Sequence, residues 1–263
     1  MVKRLHNLTA GIGSTLLIFI TILIGCSSVP VRQDQEIPAK RPISEYVKEN
    51  VAYPIDAYDP LEGFNRRIYK FNAKFDKKVF LPVVRAYEFV LPDVIQSGLT
   101  NFFSNLSEIT NLTNSFLQFK ARAFGKTAGR IVINTTVGIG GTWDPATRMG
   151  IIRQNEDFGQ TLGFYKVGSG PYLVIPVLGP STLRDTGGLI VDAVVYNIVL
   201  KEMIHGLNLK SGQEGTLQTS LTLLDAIDTR RKESFRYYET GSPFEYDLVR
   251  FFYLMKRQLL IDH

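Results

Sequence analysis

The sequence predicts a mainly α-helical protein with little or no β-sheet. Apolar residues recur every three or four positions over most of the chain beyond residue 58, which is the period of an amphipathic helix. Some of these segments begin with an Asp-Pro or Ser-Pro pair, which suits the first turn of a helix. Alternating apolar and polar residues, the pattern typical of strands, are rare between residues 59 and 134. We therefore expect a bundle of amphipathic helices.

An apolar segment near the start of the chain, residues 16–24, follows two basic residues and ends just before Cys26. It is shorter than the ~20 residues that a membrane-spanning helix needs. Positive residues, a short apolar segment and a small residue at the cleavage site are typical of a secretory signal. We therefore predict that residues 1–25 are a signal peptide and that the mature chain works outside the cytoplasm.

The residues at the predicted cleavage site, Leu23-Ile24-Gly25-Cys26, resemble a bacterial lipobox. In that motif the thiol is alkylated with diacylglycerol, the chain is cut before the cysteine, and the new amino group is acylated. Several acyl chains on one residue anchor a protein stably, since each buried CH₂ contributes ~0.8 kcal/mol. Ser27 is not the aspartate that usually retains lipoproteins in the inner membrane, so Cys26 is predicted to anchor the chain to the outer membrane. The alternative is an uncleaved signal anchor with an incidental cysteine.

Residues 26–57 are polar and interrupted by prolines, with little apolar periodicity. This composition predicts an acylated tether that gives reach rather than chemistry. A helical domain then occupies residues 58–263, and the mature chain is long enough for one sizeable core or two small ones.

The composition argues against an enzyme and against a nucleic acid partner. The formal net charge of +5 is too small to indicate nucleic acid binding, although a mild positive charge suits anionic lipid headgroups. Beyond the signal the only histidines are His205 and His263, and the single cysteine is used by the anchor. A zinc site or a Ser-His-Asp triad is therefore not expected, and the sequence predicts no catalytic residue, metal or cofactor.

The helical domain opens at Asp59-Pro60-Leu61-Glu62, where the aspartate suits an N-cap and the glutamate completes a capping-box-like start. The apolar residues that follow at helical spacing are Phe64, Ile68, Phe71 and Phe75, with basic residues elsewhere around the helix. Two interpretations stay open. The apolar stripe packs into the core, as in an ordinary surface helix, or it faces a membrane.

Further helices are predicted to start at Leu81-Pro82, Leu91-Pro92-Asp93 and Ser242-Pro243-Phe244, and to cover residues 108–120, 121–134 and 217–227. Residues 173–178 are short and interrupted by Pro176, so we expect at most an extended segment there. Residues 189–200 are almost uncharged and too short to span a bilayer, which suits a helix that is buried or lies along a membrane.

A glycine-rich region occupies the centre of the chain. Its segment Gly138-Ile139-Gly140-Gly141 lacks the third glycine of the dinucleotide fingerprint and follows no clear βα unit. Ser169 lies in Gly168-Ser169-Gly170, which lacks the Gly-x-Ser-x-Gly spacing of a nucleophile elbow. Charged residues of this region could form a hydrolytic set, although ion pairs and helix caps explain them equally well. They are Asp144, Asp157, Arg184 and Asp185.

Several blocks of the sequence together resemble the VacJ/MlaA outer-membrane lipoproteins. The blocks are residues 59–66, 101–106, 133–141, 157–163 and 168–185. The similarity extends from about Asp59 to about Phe252 with the blocks in the same order, so it is highly specific.

The resemblance implies a ring-shaped bundle of amphipathic helices that is embedded in the inner leaflet of the outer membrane, faces the periplasm and encloses an amphipathic channel. It further implies that the protein removes phospholipids misplaced in the outer leaflet, passes them to a soluble periplasmic carrier, and often binds a trimeric porin. Neither catalysis nor a cofactor belongs to this activity.

Glycines and one arginine are the candidates for lining or gating such a channel. Glycine lets backbone amides approach a headgroup and allows bends, and a headgroup that leaves water needs polar partners. The candidates are Gly138, Gly140, Gly141, Gly168, Gly170 and Arg184, and the residues expected to help seat the ring in the leaflet are Phe64, Ile68, Phe71 and Phe75. Two other classes stay open: an adaptor that binds a porin or the envelope without moving lipid, and a phospholipase.

Overall fold

Helices dominate the computed structural model, which describes residues 59–210 and 212–262. The predicted signal peptide, Cys26 and the tether lie outside these ranges, so what is predicted for them stays a prediction. Within these ranges the sheet structure consists of one two-stranded hairpin. The prediction of a mainly α fold with little sheet is therefore confirmed.

The first helices follow one another without a break. α1 (Glu62–Phe75) passes through a π-helical turn (Asp76–Phe80) into α2 (Leu81–Val90). Pro82, in the first turn of α2, has no N–H to donate, and its ring crowds the carbonyl four residues earlier in a regular helix. That carbonyl belongs to the π-helical turn, which is wider than a turn of α-helix. The predicted helix start at Leu81-Pro82 therefore marks a change of helix type.

Leu91 is extended and Pro92 forms the N-cap, so the chain breaks as predicted before α3 (Asp93–Leu117). The spacing that begins at residue 108 belongs to α3 and not to a separate helix, because nothing in the sequence around it interrupts the helix. α4 (Ala121–Thr136) packs along α3. Two short helices, α5 (Pro145–Arg148) and α6 (Phe158–Phe164), lie in the glycine-rich region.

A β-hairpin follows, in which β1 (Tyr172–Ile175) pairs with β2 (Gly179–Thr182) in antiparallel register, with Tyr172 opposite Thr182. Of residues 173–178, which were expected to be at most extended, residues 173–175 thus belong to a paired strand and residues 176–178 form the turn. Val177, in the turn, and Gly179, the first residue of β2, have φ angles of +69° and +91°.

Two asparagines of α1 satisfy the backbone along β1. The Asn65 side chain donates to the Tyr172 carbonyl at 3.0 Å and accepts from the Val174 amide at 2.9 Å. The Asn72 side chain donates to the Ile175 carbonyl at 2.9 Å and accepts from the Val177 amide at 2.7 Å. Side-chain amides seven residues apart on a helix therefore take the place of a third strand, which leaves few of these backbone groups unpaired.

Three longer helices complete the described fold: α7 (Leu183–His205), α8 (Gln213–Lys232) and α9 (Glu245–Asp262). α7 starts directly after β2, with Thr182 as its N-cap, and contains the nearly uncharged segment 189–200. Among the described residues, no helix is both long enough and apolar enough to cross a membrane.

Asp59 is not the N-cap of α1, contrary to the prediction. α1 begins at Glu62, after a turn, and the Asp59 carboxylate accepts hydrogen bonds from the amide of Leu61 (3.1 Å) and the side chain of Asn65 (2.9 Å). It also accepts the hydroxyl of Tyr246 on α9. The carboxylate is engaged by these partners, so it ties the start of α1 to the last helix instead of closing a capping box.

Candidate functional site

The distribution of polar and apolar residues differs from that of an ordinary soluble domain. Among residues 59–210 and 212–262, twelve buried residues are apolar and twenty are polar or charged, while 36 large apolar residues are exposed. Soluble folds bury mainly apolar side chains and rarely expose large apolar patches. Function is therefore expected at the apolar surfaces and in the polar interior.

Part of the apolar stripe of α1 lies on the outer side of the helix, whereas Ile68 packs against the buried core around Tyr69. Phe64 and Phe71 are 53% and 47% exposed, while Ile68 and Phe75 are half-buried. The buried side of the same helix and its π-helical turn consists of Asn65, Tyr69, Asn72 and Asp76. The two rings that are most exposed are thus available to an apolar environment, which is what membrane seating requires.

Two further apolar surfaces lie elsewhere on the fold. At the corner between α2 and α3, Phe89 and Val94 are 88% and 81% exposed. Along α7, Leu189, Val194 and Ile198 line an open groove of about 420 Å³ that reaches α8. We call these two surfaces and the stripe of α1 the apolar exterior.

The polar interior is centred on Glu108 of α3, whose side chain is fully buried. Arg130 of α4 donates to one of its oxygens at 2.7 Å, and Asn111 donates to the other at 3.0 Å. Arg130 also donates to Asp144 at 3.0 Å and to the Thr147 hydroxyl at 2.8 Å. We call Glu108, Arg130 and Asp144 the interior ion network. A buried ion pair is stable only when further hydrogen bonds satisfy its remaining atoms, as they do here.

The first glycine segment, residues 138–141, leads from α4 toward α5 and lies against α3. Gly140 and Gly141 have φ angles of +66° and +87°, a conformation that favours glycine. A Cβ on Gly141 would lie 2.6 Å from the Asn105 side chain, and one on Gly138 would lie 2.3 Å from two carbonyl oxygens. Around Gly140 the space is open. Close packing therefore requires glycine at positions 138 and 141, whereas at position 140 only the backbone conformation favours glycine.

The second glycine segment, residues 168–170, meets Arg184 at the start of α7. Gly170 has a φ angle of +66°, and the Arg184 amide donates to the Ser169 carbonyl at 3.1 Å. The Arg184 side chain is only 7% exposed and pairs with Asp185 at 3.0 Å. The structure thus brings Arg184 together with Gly168 and Gly170, and places the segment from Gly138 to Gly141 against α3. A role of these residues in a channel stays a prediction.

Arg257 of α9, which the sequence analysis did not select, joins the helices around the second glycine segment. It donates to Asp157 at 2.6 and 2.9 Å and to Asp185 at 2.9 and 3.0 Å. Asp157 also caps α6 through the Gln160 amide. We call Arg257, Asp157 and Asp185 the Arg257 clamp. One arginine thereby connects α6, α7 and α9.

The Arg257 clamp predicts that stability depends on pH. Burial acts to raise the pKa of Asp157, but the hydrogen bonds and the charge of Arg257 have the larger effect and hold the pKa below its ordinary value. The pKa of Asp185 is lowered for the same reasons. A carboxylate whose pKa is lowered by folding stabilises the protein above its unfolded pKa of ~3.9. That stabilisation is lost as the pH falls through the lowered value.

We therefore expect Asp157→Asn to lower the unfolding midpoint at neutral pH, by an equivalent of ~1–2 kcal/mol for a charge-assisted hydrogen bond. The deficit relative to the wild type should shrink as the pH falls below the unfolded pKa of ~3.9 and through the lowered pKa of the wild-type carboxylate. Asparagine caps helices as well as aspartate, so α6 keeps its cap. Thermal unfolding of both proteins over this pH range measures the effect, and a deficit that stays constant would contradict it.

The charged residues that could have formed a hydrolytic set are held in helix caps and ion pairs. Asp144 caps α5 at the Thr147 amide and pairs with Arg130, and the other three belong to or contact the Arg257 clamp. Ser169 has only a 3.4 Å contact with the next carbonyl, and His205 pairs with Glu214 on the surface. Within the described ranges no group of three or more His, Cys, Asp or Glu is arranged to hold a metal ion.

Comparisons with known proteins identify the family. A family model described as "MlaA lipoprotein" matches residues 57–260. The "Intermembrane phospholipid transport system lipoprotein MlaA" of Shigella flexneri is 36% identical over 183 residues, which are 68% of this chain and 72% of that protein. An uncharacterised protein of Rickettsia prowazekii is 34% identical over 151 residues, 57% of this chain and 59% of that protein. The match thus spans about three fifths of that relative's length.

The fold agrees with the sequence comparison. A solved structure reported as the "Structural basis for maintenance of bacterial outer membrane lipid asymmetry" is similar with a TM-score of 0.54 and 32% identity, and the match covers 78% of this chain and 100% of that chain. The family model spans well over half of this chain. This chain belongs to the MlaA lipoprotein family.

Proposed function

We propose that this chain removes mislocalised phospholipids from the outer leaflet of the bacterial outer membrane through an amphipathic channel. It passes them to a periplasmic carrier and so maintains membrane lipid asymmetry. The observation that carries the proposal is the combination of an apolar exterior with a hydrogen-bonded polar interior. A phospholipid headgroup needs polar partners when it leaves water, whereas acyl chains favour an apolar surface. The described residues offer both on one fold.

The relatives support this activity. The MlaA proteins of Shigella flexneri and Escherichia coli are named for intermembrane phospholipid transport, and the similar solved structure concerns outer membrane lipid asymmetry. The family is one of outer-membrane lipoproteins, and its model covers residues 57–260 of this chain. We extend the activity to this chain on that similarity and on the residue distribution together.

The membrane attachment that we propose has two parts. Cleavage after residue 25 leaves Cys26 as the acylated residue, residues 26–57 as the tether and residues 58–263 as a ring-shaped channel domain facing the periplasm. The apolar exterior then seats this domain in the inner leaflet. The exposure of Phe64 and Phe71 supports that seating. Phe75 stacks beside Phe71, whereas Ile68, which was also expected to seat the ring, packs against the buried core.

A trimeric porin and a soluble lipid carrier are the proposed protein partners. The main alternative is an adaptor lipoprotein that binds a porin or the envelope and moves no lipid. A phospholipase is less well supported, because the central carboxylates are engaged in helix caps and ion pairs. Co-purified phospholipid favours transport over the adaptor.

Gating by the second glycine segment makes a specific prediction. Gly170→Ala places a side chain on a left-handed backbone, a conformation that costs ~1–2 kcal/mol, with the new Cβ 3.1 Å from the side chain of Leu183. We expect this variant to raise outer-leaflet phospholipid at a normal protein level. Gly168→Ala is the matched control, because nothing lies within 4 Å of its Cβ position. If Gly170→Ala preserved asymmetry as well as Gly168→Ala does, this gating role would be lost.

The experiment that tests the proposed function is headgroup labelling of the outer leaflet on intact cells with and without this gene. Deletion should increase labelled phospholipid, the intact protein should reverse the increase, and Cys26→Ala should not. An unchanged outer leaflet after deletion would favour the adaptor instead. Alanine at Ser169, His205 and the central aspartates should leave activity intact wherever the protein folds, and loss of activity in a folded variant would reopen the phospholipase.

A further inference from the structure

We propose that Arg153 binds the phosphate of a phospholipid headgroup from within the polar interior. This inference rests on the proposed function and names the chemical group by which the lipid is held. Arg153 lies in the segment between α5 and α6, beside Glu108 of the interior ion network. A single arginine in a loop has no local signature, so this residue is not recognisable from the sequence.

Arg153 makes no hydrogen bond to the described residues, although only one-third of its side chain is exposed. Its Nε atom is buried and has no hydrogen-bond partner, and its distance of 3.7 Å to Oε1 of Glu108 is too long for such a bond. Within residues 59–210 and 212–262, no group accepts a hydrogen bond from its two Nη atoms either. A guanidinium has five N–H donors in a planar fork, so this residue has unused donors.

Glu108 does not supply the missing bonds, because its Oε1 lies 3.7 Å from Nε of Arg153 and other residues donate to both of its oxygens. Arg130 donates to Oε1 at 2.7 Å and Asn111 donates to Oε2 at 3.0 Å. Arg130 is itself satisfied by Asp144 and Thr147. The interior ion network is therefore complete without Arg153, which lies beside it as a second cation.

The charge of Arg153 is only partly compensated by its surroundings. Burial lowers its pKa, the acids Glu108, Asp144 and Asp225 act to raise it, and the net pKa lies below its ordinary value. Asp225 belongs to α8, so the guanidinium lies in a field set by several helices. Its side chain nevertheless remains one-third exposed. A bound anion would supply both the missing charge and the missing hydrogen-bond acceptors.

The flanking residues favour a lipid phosphate. A phosphodiester can accept two parallel hydrogen bonds from the planar fork of arginine. Met149 and Ile152, on the same segment, are 61% and 69% exposed, so apolar surface for acyl chains lies next to the cation. A free phosphate would use the arginine alone. The neighbouring apolar residues thus point to a phospholipid as the source of the phosphate.

Binding by the purified mature protein in detergent tests this site. We would measure retention of labelled phosphatidylglycerol, of diacylglycerol with the same acyl chains and of inorganic phosphate. Arg153→Met is expected to weaken phosphatidylglycerol binding about tenfold and to leave diacylglycerol unchanged, as loss of a charge-assisted bond predicts. Arg148→Met is the matched control, because Arg148 is exposed and contacts the Trp143 ring; its binding should stay within about twofold of the wild type.

Each outcome decides a separate point. Equal phosphatidylglycerol binding by the wild type and Arg153→Met overturns the site. Equal losses of inorganic phosphate and of phosphatidylglycerol, with wild-type affinities alike, would make it a free-phosphate site and overturn the lipid assignment. Arg153→Lys keeps the charge without the fork, and it should fold and lose only about threefold in affinity. Binding that depends on Arg153 in a protein whose deletion leaves the outer leaflet unchanged would keep the site and remove the proposed function.

Discussion

Arg130→Met is expected to lower the free energy of unfolding by about 3–5 kcal/mol, the usual effect of removing one partner of a buried ion pair. The substitution leaves the fully buried carboxylate of Glu108 without its hydrogen-bonded cation, and the remaining cation, Arg153, lies 3.7 Å away. It also removes the donors to Asp144, to Thr147 and to the Ile151 carbonyl. Methionine fills a similar volume, so the loss reflects an uncompensated charge more than a cavity. Chemical unfolding of the mature protein in detergent, followed by circular dichroism, measures it.

Two further variants separate this effect from a general loss of charge. Arg122→Met changes an exposed arginine on the same helix and should alter stability by less than about 0.5 kcal/mol. Arg130→Met combined with Glu108→Leu removes both charges and should recover a large part of the loss, since a well-packed apolar pair can replace a buried ion pair. If Arg130→Met were no more destabilising than Arg122→Met, the interior ion network would not be what joins α3 to α4.

The period of α1 is predictable from its sequence, but the side that faces the core is not. Phe64, Ile68, Phe71 and Phe75 recur at helical spacing, and the set one residue further on, Asn65, Tyr69, Asn72 and Asp76, recurs with the same spacing. Both sets identify a helix. Choosing the inner side requires knowing what surrounds the protein, because apolar side chains turn inward only when the surroundings are water.

The hydrogen-bond partners of Asn65 and Asn72 are a second feature that the sequence does not predict. Asn65 and Asn72 bind a strand more than a hundred residues away, and no local pattern on α1 points to that strand. A polar residue on a helix reads as solvent-exposed in the sequence, whereas here it supplies backbone hydrogen bonds inside the fold. The hairpin itself is hard to predict for the same reason, since one edge of it is satisfied by side chains and not by another strand.

The first glycine segment is predictable as a turn, because composition alone indicates it. The ion pairs beside the glycine segments are not. Arg257 and Asp157 are 100 residues apart, and Glu108 and Arg130 lie on different helices. Buried and exposed charges look alike in a sequence, so Arg184 could be proposed for a channel although its side chain is buried against Asp185. Three-dimensional packing decides which charges are paired. Arg153 is therefore recognised only in the structure, by comparison with the charges that have hydrogen-bond partners.

Gly188→Ala is expected to destabilise the protein by at least about 2 kcal/mol, because it introduces a side chain where two backbones touch. A Cβ on Gly188 of α7 would lie 2.3 Å from the amide nitrogen of Gly159 and 2.7 Å from its Cα, in α6. These are backbone atoms, so no side-chain rotation can relieve the overlap. The helices must separate, and the Arg257 clamp that spans them must lengthen. Thermal unfolding in detergent, with the midpoint compared with the wild type, measures the loss.

Gly187→Ala provides a control one residue away on the same helix. No atom lies within 4 Å of its Cβ position, so the substitution adds no overlap. Glycine in a helix interior is less stable than alanine by roughly 0.5–1 kcal/mol, and Gly187→Ala should therefore stabilise the protein slightly. The two substitutions are thus predicted to change the free energy of unfolding in opposite directions. Similar effects from both would mean that α6 and α7 can move apart freely, and the clamp would then not fix the start of α7 against the second glycine segment.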